Sequence, residues 1–142
     1  MEIPLRLLIS VAVAGLTAPA VLGGLSAYEA EAASARAMRA IDAIVRAAQA
    51  FYLAGDGAED VRVDLGGGVT ARVEFVSIGD APGGARMPTA SYQVSGQAVA
   101  FLLADPPVPM AADGGPLRLG TGTHTVRVSY DGSGPVRLAE VP

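Results

Sequence analysis

The sequence contains no cysteine, lysine, asparagine or tryptophan, and its one histidine is His124. Without cysteine the chain has no disulfide and no thiolate metal site, and a single histidine has no second imidazole to join it on a metal. The lack of asparagine removes every N-glycosylation acceptor. The ten basic residues, all arginine, are outnumbered by fourteen acidic ones, which leaves a net charge of −4. This balance argues against a nucleic-acid-binding surface.

Signals for catalysis are equally sparse. His124 lies in an alternating run and is interpreted as capping the edge of the apolar face formed by Val126 and Val128. None of the serines, Ser77, Ser91, Ser95 and Ser129, sits in a nucleophile elbow, so a Ser-His-Asp triad through His124 stays open but has no local signature. We therefore expect no enzyme, with no catalytic, cofactor-binding or metal-binding residue.

Two short segments resemble ligand motifs but do not match them. The acidic cluster Asp56, Glu59, Asp60 and Asp64 offers oxygen ligands for calcium but lacks EF-hand spacing, so a solvated turn is the favoured interpretation. The glycine run at residues 66–68 lacks the helix and lysine of a phosphate-binding loop. It joins two alternating segments and therefore predicts a hairpin turn.

The longest uncharged run covers residues 7–28. As a helix it would be about 33 Å long, close to the ~30 Å hydrocarbon thickness of a bilayer. Arg6 before it and Glu29 and Glu31 after it favour an N-in, C-out orientation in a membrane. We expect a retained, membrane-insertable helix; the alternative is a cleaved secretory signal peptide.

This run is rich in small residues, and it also contains Pro19 and the pair Gly23 and Gly24, which predict a kinked or weakened helix. Small residues let helices approach closely. The run is therefore interpreted as packing against copies of itself, with a loosely packed membrane anchor as the alternative. The large apolar side chains predicted to mediate polymerisation or membrane insertion are Leu7, Leu8, Ile9, Val11, Val13, Leu16, Val21, Leu22 and Leu25.

Residues 29–53 follow as an alanine-rich segment without glycine or proline, which indicates a strong helix former. Apolar residues recur at three- and four-residue steps and predict a stripe that packs on the following domain; these are Met38, Ile41, Ile44, Val45 and Tyr52. Asp42 and Arg46 are spaced to pair on the opposite side. Gly55 is the predicted helix stop. A plain linker helix is the alternative interpretation.

From residue 61 onwards the hydrophobic period changes from helical to two, and turn signals recur about every ten residues. Residues 61–65 and 69–78 predict one hairpin, and 91–94 with 98–104 a second. Residues 79–89 and 105–115 predict loops, and 116–120, 123–130 and 135–141 predict further strands. The expected fold is therefore α+β: a helix over 1–53 (apolar 5–28, amphipathic 29–53), a linker over 54–60, and a small antiparallel β-sandwich-like head over 61–142.

An apolar helix that continues into an amphipathic helix and a β-rich head resembles the type IV pilin superfamily, and in particular its archaeal branch. The similar stretches are EIPLRLLISVAVAG, RAAQAFYLAGDGAEDVRVDLGGGV, VEFVSIGD and GTGTHTVRVSY. The chain departs from the bacterial pattern in lacking a Lys/Arg-Gly peptidase site and in having Leu5 where those pilins carry glutamate. It is thus interpreted as either an unprocessed subunit or a mature form.

The resemblance implies a structural subunit of an extracellular filament, whose heads form the outer surface and carry any adhesion. Its expected partners are copies of itself, the membrane before assembly and a pilus assembly machinery, with no nucleic acid. The expected location is the cell surface, reached from a membrane-inserted precursor. The alternative function is a membrane-anchored or secreted β-sandwich binding domain that does not polymerise.

Overall fold

A computed structural model describes the backbone of residues 2–79 and 89–142, and the side chains of residues 15, 17–79 and 90–142. The chain begins with one long helix, α1, over Glu2–Ala54. Its 53 residues correspond to a rod of about 80 Å. The helical backbone continues through Pro19 without a break. The predicted helix, residues 1–53, thus agrees with α1 to within one residue at its C-terminal end.

Gly55 ends the helix as the sequence predicts. Its φ of +92° lies in the left-handed region, where glycine has no Cβ penalty. The Gly55 N–H donates to the carbonyl oxygen of Phe51 at 2.9 Å, which satisfies one of the last free helix carbonyls. The chain therefore turns sharply and runs back along the helix.

Eight strands follow within the described residues, in two four-stranded sheets. Their bounds are β1 Gly57–Leu65, β2 Val73–Ile78, β3 Thr89–Val94, β4 Ala100–Leu103, β5 Met110–Ala111, β6 Leu117–Leu119, β7 Gly122–Tyr130 and β8 Val136–Val141. The first sheet has the order β1-β7-β8-β5, and the second has the order β4-β3-β2-β6. All neighbouring pairs are antiparallel except β5 and β8, which are parallel.

Two sequence predictions for the start of the head were wrong. β1 begins at Gly57, so the predicted linker over 54–60 is reduced to the short connection after Ala54. The predicted hairpin of 61–65 with 69–78 does not form, because β1 pairs along its whole length with β7, from Gly57 opposite Tyr130 to Leu65 opposite Gly122. The nine-residue register with a distant strand replaces the local pairing that the glycine run suggests, and residues 66–72 connect the two sheets instead.

The later part of the head agrees better with the sequence. β3 and β4 form the second predicted hairpin, and β7 and β8 are joined across the turn after Tyr130. The segment 105–115, predicted as a loop, contains the two-residue strand β5. Such a short strand shows no alternation in the sequence. The predicted loop at 79–89 falls mostly on residues outside those described.

One hydrophobic cluster joins the helix to both sheets. It contains α1 residues such as Ile44, first-sheet residues such as Leu65 and Val128, and second-sheet residues such as Val76 and Val94. The helix contacts β1 and β7 of the first sheet and β2 and β3 of the second. The fold is thus α+β, with one described helix and two largely antiparallel sheets around a shared core.

Among the described residues, no helix combines the length and the apolar character needed to cross a membrane.

Candidate functional site

The N-terminal part of α1 has an uncovered surface. We call residues 7–28 the stem; its described side chains, at 15 and 17–28, are exposed, except for half-buried Ser26. Val21, Leu22 and Tyr28 expose 66%, 58% and 71% of their surface. A Cβ added at Gly23 or Gly24 would meet nothing within 4 Å. The stem therefore offers apolar side chains and small gaps on a helix that its own head leaves bare.

The predicted polymerisation residues fall into two groups. Val21, Leu22 and Leu25 are all exposed on the stem. The others have side chains outside the described set; they are Leu7, Leu8, Ile9, Val11, Val13 and Leu16. At these positions the structure describes only the helical backbone.

Residues 29–54, which we call the docked segment, bury a stripe of mostly small side chains against the sheets. Its fully or nearly buried members are Ala33, Ala37, Ala40, Ile41, Ile44 and Ala48. Of the predicted packing residues, Ile41 and Ile44 are buried and Val45 is partly buried against the core. Alanines let the helix backbone approach the strands closely. Small residues therefore make much of the helix–sheet contact that the sequence pattern assigned to large ones.

Met38 and Tyr52 lie at the margin of the buried stripe rather than within it. They expose 42% and 40% of their surface. Met38 lines a groove beside β4. Tyr52 still contacts the head, because its ring lies 5.3 Å from that of Tyr130 at an interplanar angle of 43°. Spacing alone cannot separate a flanking residue from a central one on an alanine-rich helix, since residues three or four apart differ by only about 40–60° around the axis.

A polar clasp fixes the head where the stem meets the docked segment. Oε2 of Glu29 accepts hydrogen bonds from the backbone N–H and the hydroxyl of Thr70, each at 2.5 Å, and from the N–H of Ala71 at 3.0 Å. The Thr70 hydroxyl, followed by these backbone donors, lowers the pKa of the Glu29 carboxyl to about 2. A Cβ added at Gly68 would lie 2.5 Å from the Glu29 carboxylate, which would then have to move.

Two further polar contacts join the docked segment to the head. Nη1 of Arg36 donates to the carbonyl oxygen of Gly66 at 2.8 Å, and the hydroxyls of Ser34 and Tyr92 are 2.7 Å apart. The clasp cannot be recognised from the sequence. Its only sequence signal is a glutamate at the first position after the uncharged run, which carries no information about a loop 41 residues away.

His124 lies where the sequence places it, at the half-buried edge of the β7 face that also carries Val126 and Val128. Its Nε2 donates to the Gly120 carbonyl oxygen at 2.9 Å, and its Nδ1 lies 2.5 Å from Oε1 of Glu140. Both ring nitrogens are thus engaged, and neither contacts a serine. The triad that the sequence left open through His124 is not formed.

Most of the acidic cluster lies on strand β1 rather than in a solvated turn, which corrects the sequence interpretation. Both carboxylate oxygens of Asp60 accept hydrogen bonds from Arg127 across the β1–β7 pair, at 2.7 and 2.9 Å. These bonds lower the pKa of Asp60. Asp64 accepts the N–H of Gly66 at 2.8 Å. In the described part of the chain, no group of three or more metal-ligating side chains comes together.

Comparisons with protein-family models, with curated proteins and with solved structures found no match.

Proposed function

We propose that this chain is the structural subunit of an extracellular type IV pilus-like filament that polymerises through its stem. In this proposal the stems form a central helical bundle, and the heads, arranged as small β-sandwiches, form the outer surface and any adhesive contacts. Before assembly the stem resides in a membrane, N-in and C-out, from which an assembly machinery recruits it. The nearest alternative is an anchored or secreted binding domain with the same head that stays monomeric.

The observation that carries the proposal is the contrast within one unbroken helix. One face of the docked segment is buried by two sheets, whereas Val21, Leu22 and Leu25 of the stem are exposed. Burying an exposed valine or leucine is worth about 1.5–3 kcal/mol. Several such side chains in a row would drive association wherever the stem can exclude water.

The geometry favours an open polymer over a closed pair. A continuous helix of about 80 Å cannot bend back to cover its own stem. Small residues on the stem allow several helices to approach closely around one axis. A surface that meets a different surface of the next copy forms a heterologous contact, and repeating it without closure produces a filament.

The clasp supports the filament proposal because it fixes the position of the head on the helix. Glu29 and Arg36 tie the loop that connects the sheets to the base of the stem. The head is therefore held at a fixed place on the helix, so that packing of stems would also set the spacing of heads.

The test is a charge placed in the stem. We expect the Val21→Asp/Leu22→Asp double variant to abolish filaments seen by negative-stain electron microscopy of cell-surface material, because carboxylates in a packed helical bundle would be buried without partners. The head should remain folded, as judged by its urea unfolding midpoint in detergent. Phe101→Asp/Leu103→Asp is the matched control, since both side chains are 73% exposed on the head, and it should leave filaments intact.

Normal filaments from the double variant would refute polymerisation through the stem. A wild-type chain that stays monomeric after transfer out of detergent, and forms no filaments in cells, would instead favour the anchored or secreted binding domain. Mass measurement of the native N-terminus adds a second check on that alternative, because a chain beginning after the stem indicates a cleaved signal peptide.

A further inference from the structure

The arginines of this acidic protein are not evenly partnered. Among the eight with described side chains, Arg46, Arg72 and Arg127 form ion pairs with Asp42, Glu74 and Asp60. Arg118 lies over the ring of Phe75, 4.3 Å from its centroid, and Arg137 lies close enough to Asp131 to help lower the pKa of that carboxyl, whose main cause is hydrogen bonding from Ser133. The remaining three are Arg36, Arg39 and Arg62.

These three arginines line one groove. It has a volume of about 300 Å³ and lies between α1 and β1. Arg36 and Arg39 are three residues apart and form the helix wall, and Arg62 lies on the strand wall. Ala40, Ala43 and Val63 also line the groove, and their short side chains leave the space between the walls open.

The arginine groove carries an excess of positive charge, with three guanidinium groups against one carboxylate. Asp64 is the one acidic residue that lines it, and its Oδ1 accepts the Gly66 N–H. Arg36 donates to the Gly66 carbonyl oxygen at 2.8 Å, and Nε of Arg39 donates to the Ala35 carbonyl oxygen at 3.3 Å. Both guanidinium groups are therefore oriented by neutral partners and keep other N–H donors free.

We propose that the arginine groove binds a small multivalent oxyanion, of the phosphate, sulfate or polycarboxylate class. Guanidinium groups match the geometry of such oxygens and donate paired, charge-assisted hydrogen bonds to them. A cleft lined mainly by one sign of charge also focuses the field and concentrates counter-ions. An oxyanion relieves the repulsion of three neighbouring cations that the protein itself leaves unpaired.

The size of the groove favours a small ligand over a polyanion. A volume of about 300 Å³ is at the lower end for small-molecule pockets. The net charge of −4 opposes a long anionic polymer that would extend past the groove. This inference does not rest on the filament proposal, because the groove belongs to a single copy of the chain.

The test uses the full chain dispersed in a non-ionic detergent at low salt, with inorganic pyrophosphate as the probe. We expect saturable binding by isothermal titration calorimetry, together with shifts of arginine Nε–H resonances in NMR spectra. The Arg39→Gln/Arg62→Gln double variant should weaken binding at least about tenfold, because two charge-assisted contacts are lost. Added sodium chloride should weaken binding of the wild type.

The matched control is Arg46→Gln/Arg137→Gln, which removes the same charge away from the groove and should bind pyrophosphate as the wild type does. An absence of saturable binding, or equal losses in both double variants, would overturn the proposal. It would also be overturned if pyrophosphate does not bind but Arg39→Gln/Arg62→Gln abolishes self-association at low salt, because the groove would then receive carboxylates of a second copy. The NMR shifts of the wild type keep the test valid if a variant fails to fold.

Discussion

The stem and the docked segment are two parts of one helix with opposite surroundings. Both have helical backbone, and both are rich in alanine and other small residues. In the docked segment these small residues lie against two sheets, and Ala33, Ala37 and Ala48 are completely buried. In the stem the same type of residue faces open space. Small residues are thus packed closely against the sheets in the docked segment, whereas those of the stem remain available for close packing.

The two regions also differ in what stabilises the helix. The stem contains Pro19, Gly23 and Gly24, which lower helix propensity by about 1 kcal/mol for each glycine and about 3 for proline. The docked segment has no such residues and in addition gains tertiary contacts from the head. The stem therefore has the lower intrinsic helix stability and would gain more stability from packing against a partner. This difference is the physical basis of the filament proposal.

The largest difference between the regions should appear on truncation of one large side chain in each. Ile44→Ala is expected to lower the free energy of unfolding by about 2–5 kcal/mol, because Ile44 is fully buried and its loss leaves a cavity. Val21→Ala on the stem should change it by less than about 0.5 kcal/mol in the dispersed chain. Urea titration followed by tyrosine fluorescence measures both. Equal effects would show that the two regions are not differently packed.

A smaller difference should follow from enlarging one alanine in each region. Ala37→Leu should destabilise the dispersed chain by about 1–3 kcal/mol, since Ala37 is fully buried and overpacking forces the helix from the sheets. Ala20→Leu should be neutral or slightly stabilising, because Ala20 is exposed. The same urea titration checks both variants. A tolerated leucine at position 37 would contradict close packing of the docked segment.

Glycine substitutions test the boundary between the regions. Gly68→Ala should lower the thermal unfolding midpoint, because the new methyl group displaces the Glu29 carboxylate from the N–H groups of Thr70 and Ala71. Gly24→Ala should raise helix stability by up to about 1 kcal/mol, since nothing lies near it. Thermal unfolding by circular dichroism separates the two. A stabilising alanine at position 68 would argue against the clasp.

The smallest expected effect is the pH dependence of stability. The pKa of Glu29 is about 2 in the folded chain, below the usual 4.5. The folded state thus binds this proton less readily than the unfolded state, so the stabilisation is fully present above pH 4.5 and is lost as the pH falls toward 2. Urea midpoints of wild type and Glu29→Gln should differ at pH 7 and converge near pH 2.

Glu31→Gln serves as the control for this pH dependence, because Glu31 is exposed and has no hydrogen-bond partner among the described residues. Its urea midpoint should follow that of the wild type at every pH. A constant gap between wild type and Glu29→Gln down to pH 2 would show that the ionised carboxylate contributes no stability to the clasp.

Local signals in the sequence predicted the elements whose partners are near in the chain. The helix end at Gly55 and the β3–β4 hairpin both depend on residues a few positions apart. The hairpin expected between residues 61–65 and 69–78 failed for the opposite reason. β1 pairs over nine residues with β7, which lies more than fifty residues away in the sequence, and no local pattern encodes that pairing.

The candidate sites divide in the same way. The uncharged stem is readable from sequence, because the absence of charge along residues 7–28 needs no partner to be seen. The Glu29 clasp and the arginine groove are not readable, since each unites a helix position with a loop or strand more than twenty residues away. The alanine stripe was missed because hydrophobic periodicity gives weight to large residues such as Met38, whereas close packing selected small ones.

The sequence by itself determined that the chain has a long N-terminal helix, an uncharged stem within it and a β-rich remainder, because each depends on residue type and short-range spacing. The tertiary structure decided where the helix becomes covered, which strands pair and which arginines remain without a carboxylate. Those outcomes depend on long-range contacts. Burial of one helix face by two sheets, and the clasp at Glu29, convert a uniform run of helical residues into a docked segment and a bare stem.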